Sequence, residues 1–173
     1  MTVINKMVRP KDVQGKIYKF KSTSECFALG IPPPVLPDKV RGHMVLVLGI
    51  IPGKLGYVKL MTITSTLKDD GDYVPISPTP KKGFSIQLRF RSYLKWHHGD
   101  AARVIPRLRE NSYLKIDAYY EVPIQTLVEA TDDFGNQFMI WSKHRGGLGE
   151  LRDYVQRRDL IRERSHLIDE KHT

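Results

Sequence analysis

The chain has 173 residues, of which 40% are apolar, so it is long enough for one substantial core and short for two. Its single cysteine, Cys26, excludes an intrachain disulfide and a thiolate metal cluster. The formal net charge of +9 favours polyanionic partners, because neutralising phosphates releases counterions, although ordinary surface lysines and basic tails also produce such a charge.

The first segments along the chain are polar or interrupted by proline. Residues 1–12 are expected to form a flexible N terminus without the apolar stretch of a signal peptide. No window approaches the ~18 apolar residues of a membrane span, so we expect a soluble protein of the cytoplasm or nucleus. The stretch GKIYKFK (15–21) indicates an edge strand, and the four prolines of GIPPPVLPDK (30–39) indicate an extended loop.

Two apolar stretches in the middle of the chain predict a β-hairpin. HMVLVLGII (43–51) is typical of a buried strand, and GYVKLMTITST (56–66) alternates in the pattern of a second strand. The turn IPGKLG joins them. Antiparallel pairing places the start of the first strand beside the end of the second, so Arg41 and His43 are expected opposite Thr64 to Thr66.

The remaining segments predict further short strands and a helix. FSIQLRFRSYLKW (84–96) indicates a half-buried strand with a basic outer face, and 97–111 indicates a polar excursion. Extended structure resumes over 112–127 and again near 136–142, whereas 147–173 has the spacing of a C-terminal helix. The fold class expected is mainly β, a small antiparallel barrel over 13–146 with a C-terminal helix.

The motifs RGHMVLVLG, GYVKLMTITST and NSYLKIDAYYEVPIQTL resemble the PemK/MazF family of SH3-like barrels. The PISPTP segment and the following SYL are similar to a fungal branch of that family. The resemblance covers about 40–127 and implies an RNA-binding barrel, which in bacterial members is a toxin-like, metal-independent endoribonuclease. On this resemblance His43 falls where those enzymes usually have arginine, and Thr64 falls on their active-site threonine. The usual Arg-Pro pair is replaced by His43-Met44, which leaves activity open.

The residue types alone also suit phosphodiester cleavage, which needs a base, an acid and donors to the phosphoryl oxygens. His43 can serve as base or acid, and Arg41 can hold phosphate bidentately. Thr64, Ser65 and Thr66 can donate hydroxyls. In the alternative interpretation His43 caps a strand and the threonines occupy ordinary β positions.

A second cluster of candidate binding residues lies in and just before KWHHGD (95–100). Arg89, Arg91 and Trp96 are predicted to bind single-stranded RNA through phosphate contacts and stacking. The alternative is a solvated strand with Trp96 in the core. Because no HxH or HxxxH spacing occurs, we expect neither a metal site nor a cofactor.

Three functional classes follow from these observations. The chain is a ribonuclease, or an inert barrel that binds RNA or protein, or a stress or defence protein controlled by a regulatory partner. Fold does not decide among them. We also expect a homodimer through an exposed strand or the C-terminal helix, whose apolar positions are Leu160, Ile161, Leu167 and Ile168.

Overall fold

A computed structural model describes the backbone of residues 9–170 and the side chains of residues 9–164. The fold is mainly β, with antiparallel sheets and one long C-terminal helix. The strands in the described range are β1 (Ile17–Phe20), β2 (Val45–Ile50), β3 (Tyr57–Thr64), β4 (Tyr73–Ile76), β5 (Tyr93–His97), β6 (Asp100–Val104), β7 (Ser112–Lys115), β8 (Tyr120–Pro123) and β9 (Leu127–Glu129). The helices there are α1 (Pro10–Val13), α2 (Thr23–Ala28), α3 (Asp38–Arg41) and α4 (Leu148–Glu170).

The main sheet is centred on β3, and its path runs β4, β7, β3, β2, β1, β9. The eight-residue strand β3 pairs with β2 along one side; along the other it pairs first with β8 and then with β7. The prediction that residues 15–21 form an edge strand was wrong. Strand β1 pairs with β2 on one side and with β9 on the other, because the distant segment 127–129 returns to cover its free backbone groups.

The predicted hairpin is confirmed, and both of its strands are buried on two faces. Val45, Val47, Val58 and Leu60 belong to one apolar cluster, while the alternate positions of the same strands belong to another. Burial on both sides explains why the sequence of β2 is continuously apolar instead of alternating. The second and larger cluster includes Leu46, Met61, Ile63, Val74, Ile76, Leu88, Phe90, Leu114, Phe138, Ile140, Leu148 and Leu151.

The segment 84–96 is only partly as predicted. Its burial alternates, with Ile86, Leu88 and Phe90 inside, but it joins its neighbours through isolated bridges rather than a regular ladder. The regular strand β5 begins later, at Tyr93, and pairs with β6 in a separate two-stranded sheet. The polar excursion predicted for 97–111 therefore contains a strand.

The Pro-rich loop lies between two short helices, α2 and α3, and contacts the core of the sheet through Leu36. Helix α2 starts with a capping box, in which the Glu25 N–H donates to Ser22 Oγ (3.1 Å) and the Ser22 N–H to Glu25 Oε2 (2.6 Å). Cys26 on this helix is buried, as expected for a small apolar side chain. Leu36 packs on the cluster around Val45 and Val47, whereas Val35 is fully exposed.

Helix α4 confirms the predicted C-terminal helix and joins the same core as the strands. Leu148 and Leu151 are 1% exposed, and Arg158 and Arg162 both bond to the carboxylate of Asp72 before β4. At the other terminus α1 begins at Pro10, so residues 10–12 are helical where a flexible N terminus was predicted. Residues 1–8 lie outside the described part of the chain.

Candidate functional site

The β2–β3 hairpin brings the segment just before β2 beside the end of β3. Val45 pairs with Thr62, and the Ile63 N–H donates to the Met44 carbonyl at 2.8 Å. His43 lies two residues before β2, and its N–H donates to the Val40 carbonyl of α3 at 3.2 Å, so the regular ladder ends before it. The start of β2 thus meets the end of β3 as expected, and the direct pairing of His43 with Thr64 stays a prediction.

These two residues face solvent at the edge of the larger sheet. His43 is exposed and Thr64 is half-buried; Ser65 and Thr66, which follow it, are exposed. The Thr64 hydroxyl accepts from the Thr66 N–H and lies within bonding distance of the Thr66 carbonyl, both at 3.2 Å. These local bonds fix the turn after β3 and hold the hydroxyl at the strand end.

Arg41 has a different partner from the one predicted. It is the last residue of α3, and its Nη2 donates to the Thr23 hydroxyl of α2 at 2.5 Å. This contact links the two ends of the Pro-rich loop. Of the three predicted catalytic residues, His43 precedes β2 and Thr64 ends β3 at the same end of the hairpin, whereas Arg41 is engaged with α2.

An aromatic residue that sequence reasoning did not assign to the site lies next to Thr64, and a second one packs on it. Tyr113 of β7 pairs with Thr64, and its ring centroid is 5.8 Å from that of Phe84. Both side chains are half-buried. The alternation in SYLK predicts that Leu114 enters the core and that Tyr113 lies on the other face. It does not predict that β7 pairs with β3, and only this pairing places Tyr113 beside Thr64.

The predicted RNA-binding residues are distributed over two structural units. Arg89 lines a cavity of about 190 Å³ with Lys81, Gln87, Arg145 and Glu150. The Arg91 guanidinium lies 5.1 Å from the centre of the Trp141 ring. Trp96 is on the β5–β6 sheet and is 69% exposed, so the alternative that it lies in the core was wrong.

Within residues 9–164, no group of three or more His, Cys, Asp or Glu side chains is arranged to hold a metal ion. Among the described helices, none combines the length and apolar character needed to cross a membrane. Comparison of the chain with protein-family models, with curated proteins and with solved structures gives no match.

Proposed function

We propose that this chain is a PemK/MazF-like barrel that binds single-stranded RNA and cleaves it without a metal ion. The observation that carries the proposal is the hairpin register, in which Met44 bonds to Ile63, so that their neighbours His43 and Thr64 belong to the same end of the hairpin in a basic protein. The resemblance in residues 40–127 supports the same two positions. The groove lies between the start of β2 and the end of β3, and Tyr113 of β7 extends it.

Backbone bonds outside the regular strands support the barrel. The Leu88 N–H donates to the Pro75 carbonyl of β4 at 2.9 Å, and the Arg91 N–H donates to the Met139 carbonyl at 2.7 Å. The Ile140 N–H in turn donates to the Gly15 carbonyl, next to β1, at 2.8 Å. Segments 86–91 and 138–140 thus run between β4 and β1, which are separated along the main sheet. We propose that they complete an irregular SH3-like barrel.

The proposed reaction is a transesterification at one phosphodiester. The ribose 2′-oxygen attacks the adjacent phosphorus, the bond from phosphorus to the 5′-oxygen breaks, and the products end in a 2′,3′-cyclic phosphate and a 5′-hydroxyl. His43 takes the proton of the 2′-hydroxyl while water gives one to the leaving 5′-oxygen, or His43 and water exchange these two roles. Hydroxyls of Thr64, Ser65 and Thr66 donate to the phosphoryl oxygens, where charge accumulates. Phe84 and Tyr113 supply stacking surface for a base.

Two contacts favour a second function, an inert barrel that binds RNA or protein in stress or defence. The Arg41 guanidinium is already bonded to Thr23, and the Thr64 hydroxyl is bonded to the Thr66 backbone. If these contacts persist when a ligand binds, Arg41 and Thr64 are not available as donors for the transition state. A regulatory protein partner fits this second function as well as the first.

The test is incubation of the purified protein with mixed single-stranded RNA in EDTA, followed by analysis of the fragment ends. We expect cyclic phosphate and 5′-hydroxyl ends, and no cleavage by His43→Ala with an unchanged circular dichroism spectrum. His97→Ala is the matched control, because His97 lies on the hairpin face opposite to Trp96 and outside the groove. Binding without cleavage by the wild type would support the inert barrel. Cleavage by both His43→Ala and Thr64→Ala would show that the catalytic site lies elsewhere.

A further inference from the structure

A second cavity lies outside the His43–Thr64 groove, beside the irregular segments that run between β4 and β1. Its volume is about 570 Å³, within the range of small-molecule sites. It shares no lining residue with the groove, and it is lined by Arg91, Ser92, Tyr93, Gly135, Asn136, Gln137, Met139 and Trp141. The lining therefore has one cation, two aromatic rings and no carboxylate.

Arg91 is held in this cavity with part of its hydrogen-bonding capacity unused. Its guanidinium carbon lies 5.1 Å from the centre of the Trp141 ring, and Nη1 contacts Met139 Sδ at 3.5 Å. Its Nε is buried and has no hydrogen-bond partner among the described residues. His144 packs edge-on against the Trp141 ring at 4.6 Å between centroids. A cation beside an indole ring, with an N–H unsatisfied, suits an anionic acceptor.

Tyr93 supplies a second unused donor. Its hydroxyl is buried and likewise has no partner in the described part of the chain. Burial raises the pKa of Tyr93, and the negative charge of Asp132 raises it further, so the hydroxyl keeps its proton at neutral pH. The Asp132 carboxylate accepts from the N–H groups of Phe134 and Asn136 and from the Asn136 amide, and it does not bond to the Tyr93 hydroxyl.

From these contacts we propose that this cavity binds one nucleoside monophosphate unit, with its base on Trp141 and its phosphate on Arg91 and Tyr93. Two buried donors without partners are rare in proteins, and a bound acceptor would satisfy them both. Indole is a stacking surface for any base, and the absence of lining carboxylates leaves the guanidinium charge available to phosphate. The unit comes either from a free nucleotide or from an RNA strand that extends over the surface.

This proposal does not depend on the ribonuclease function. Its readout is binding at Trp141 rather than cleavage at His43, so either can fail while the other holds. The chain has two tryptophans, Trp96 and Trp141. The variant Trp96→Phe therefore leaves Trp141 as the single indole reporter next to the cavity.

The experiment is a fluorescence titration of Trp96→Phe with AMP, with inorganic phosphate and with a short single-stranded oligoadenylate, repeated on the wild type by calorimetry. We expect AMP to quench Trp141 and to bind at least about tenfold more tightly than phosphate, because stacking adds to the phosphate contact. If the oligoadenylate binds and AMP does not, the nucleotide unit comes from an RNA strand. Binding of neither, or equal affinity for phosphate and AMP, would overturn the proposal.

The variant Tyr93→Phe separates a binding role from a structural one. Removal of an unpartnered buried hydroxyl is expected to raise the thermal unfolding temperature, since its desolvation is no longer a cost. The same variant is expected to weaken AMP binding several-fold, as is Arg91→Lys, which keeps the charge but loses the Nε–H. Tyr119→Phe, at an exposed tyrosine, is the control. Unchanged AMP affinity in both cavity variants would contradict the assignment.

Discussion

Thr64 occupies the last position of β3, where the strand ladder ends and the chain turns away. Its hydroxyl is held by the backbone of Thr66, and its strand neighbour in β7 is Tyr113. To donate to a phosphoryl oxygen, this hydroxyl must give up its bond to the Thr66 carbonyl, while the Thr66 N–H keeps its oxygen in place. A hydroxyl whose oxygen is already positioned contributes to catalysis because only its proton has to turn towards the phosphate.

Substitution of Thr64 tests this role at the scale of one hydroxyl. In the proposed ribonuclease, Thr64→Ala is expected to lower the cleavage rate by about 100-fold to 1000-fold, the usual effect of losing one transition-state donor. Thr64→Ser keeps the hydroxyl and is expected to retain most of the rate. Single-turnover cleavage of a short RNA measures both variants, and equal loss in the two would show that the methyl group rather than the hydroxyl matters.

Tyr18 gives a prediction for stability at high pH. Burial in β1, then the carboxylates of Glu129 and Asp12, raise the pKa of Tyr18 to about 12 in the folded chain. In the unfolded chain the pKa is about 10. The folded state therefore holds this proton more tightly, and the resulting stability is complete below about pH 10 and is lost as the pH rises to about 12.

Denaturant unfolding at several pH values checks this difference. The wild type is expected to lose stability between about pH 10 and pH 12. Tyr18→Phe lacks the ionisable group and is expected to show a shallower decline over the same range. Tyr119→Phe, at an exposed tyrosine, should follow the wild type. Parallel curves for the wild type and Tyr18→Phe would contradict the prediction.

Among the elements, α4 is attached to the sheet chiefly through its first turns. Leu148 and Leu151 are in the core, and Arg152 Nη2 donates to the Leu48 carbonyl of β2 at 2.7 Å. Two arginines further along bond to Asp72. Burial then decreases along the helix, and Leu160 is 50% exposed. The first half is therefore structural, and the later part presents apolar side chains to solvent.

A pair of leucines on α4 tests this division. Leu151→Ala is expected to lower the free energy of unfolding by about 2–5 kcal/mol, because it removes a fully buried side chain and leaves a cavity. Leu160→Ala on the same helix is expected to change it by about 0.5 kcal/mol or less. Urea unfolding measures both changes, and the dependence of the unfolding free energy on urea concentration should be the same in the wild type and the variants. Similar losses in the two variants would mean that the helix packs over its whole length.

The β5–β6 hairpin is a second element with an apolar surface. Leu94 and Trp96 lie on one face, and both are more than half exposed. Arg103 lies opposite Leu94 on that face and donates to Ser92 Oγ at 2.8 Å. An isolated two-stranded sheet with these side chains fits the proposed role of Trp96 in stacking on RNA.

For the molecule as a whole, the open groove between α4 and the β2–β3 hairpin is where we expect two copies to associate. Its volume is about 490 Å³, and its apolar lining includes Leu48, Ile50, Met61, Leu151, Val155 and Leu160. Leu160 and Ile161 were predicted to take part in a dimer and are exposed, whereas Leu167 and Ile168 lie outside the described side chains. Apolar surface of this kind is commonly covered by association.

Light scattering over a range of concentrations tests this association. The wild type is expected to shift from monomer to dimer as concentration rises, and Leu160→Glu is expected to stay monomeric, because it replaces apolar contact surface with a further carboxylate beside Asp159 and Glu163. Val35→Glu, on the exposed Pro-rich loop, is the control and should associate normally. A wild type that is monomeric at every concentration would contradict the prediction.

Local patterns in the sequence determined much of the architecture. The continuous apolar stretch of β2, the alternation in β3 and the turn between them were enough to predict the hairpin and the meeting of the start of β2 with the end of β3. Helical spacing predicted α4 in the same way. These features depend on side-chain periodicity and on one short turn, both of which are encoded by neighbouring residues.

Only the tertiary structure decided which distant segments meet. Strand β9 covers the side of β1 that was predicted to be an edge, β7 brings Tyr113 to Thr64, and Thr23 engages Arg41. Trp96 and Trp141 are both followed by polar residues in the sequence, yet one projects from a hairpin and the other closes a cavity with Arg91. Sequence periodicity gives the face on which a side chain lies. It does not say which strand pairs beside it, because that pairing depends on contacts between residues far apart in the chain.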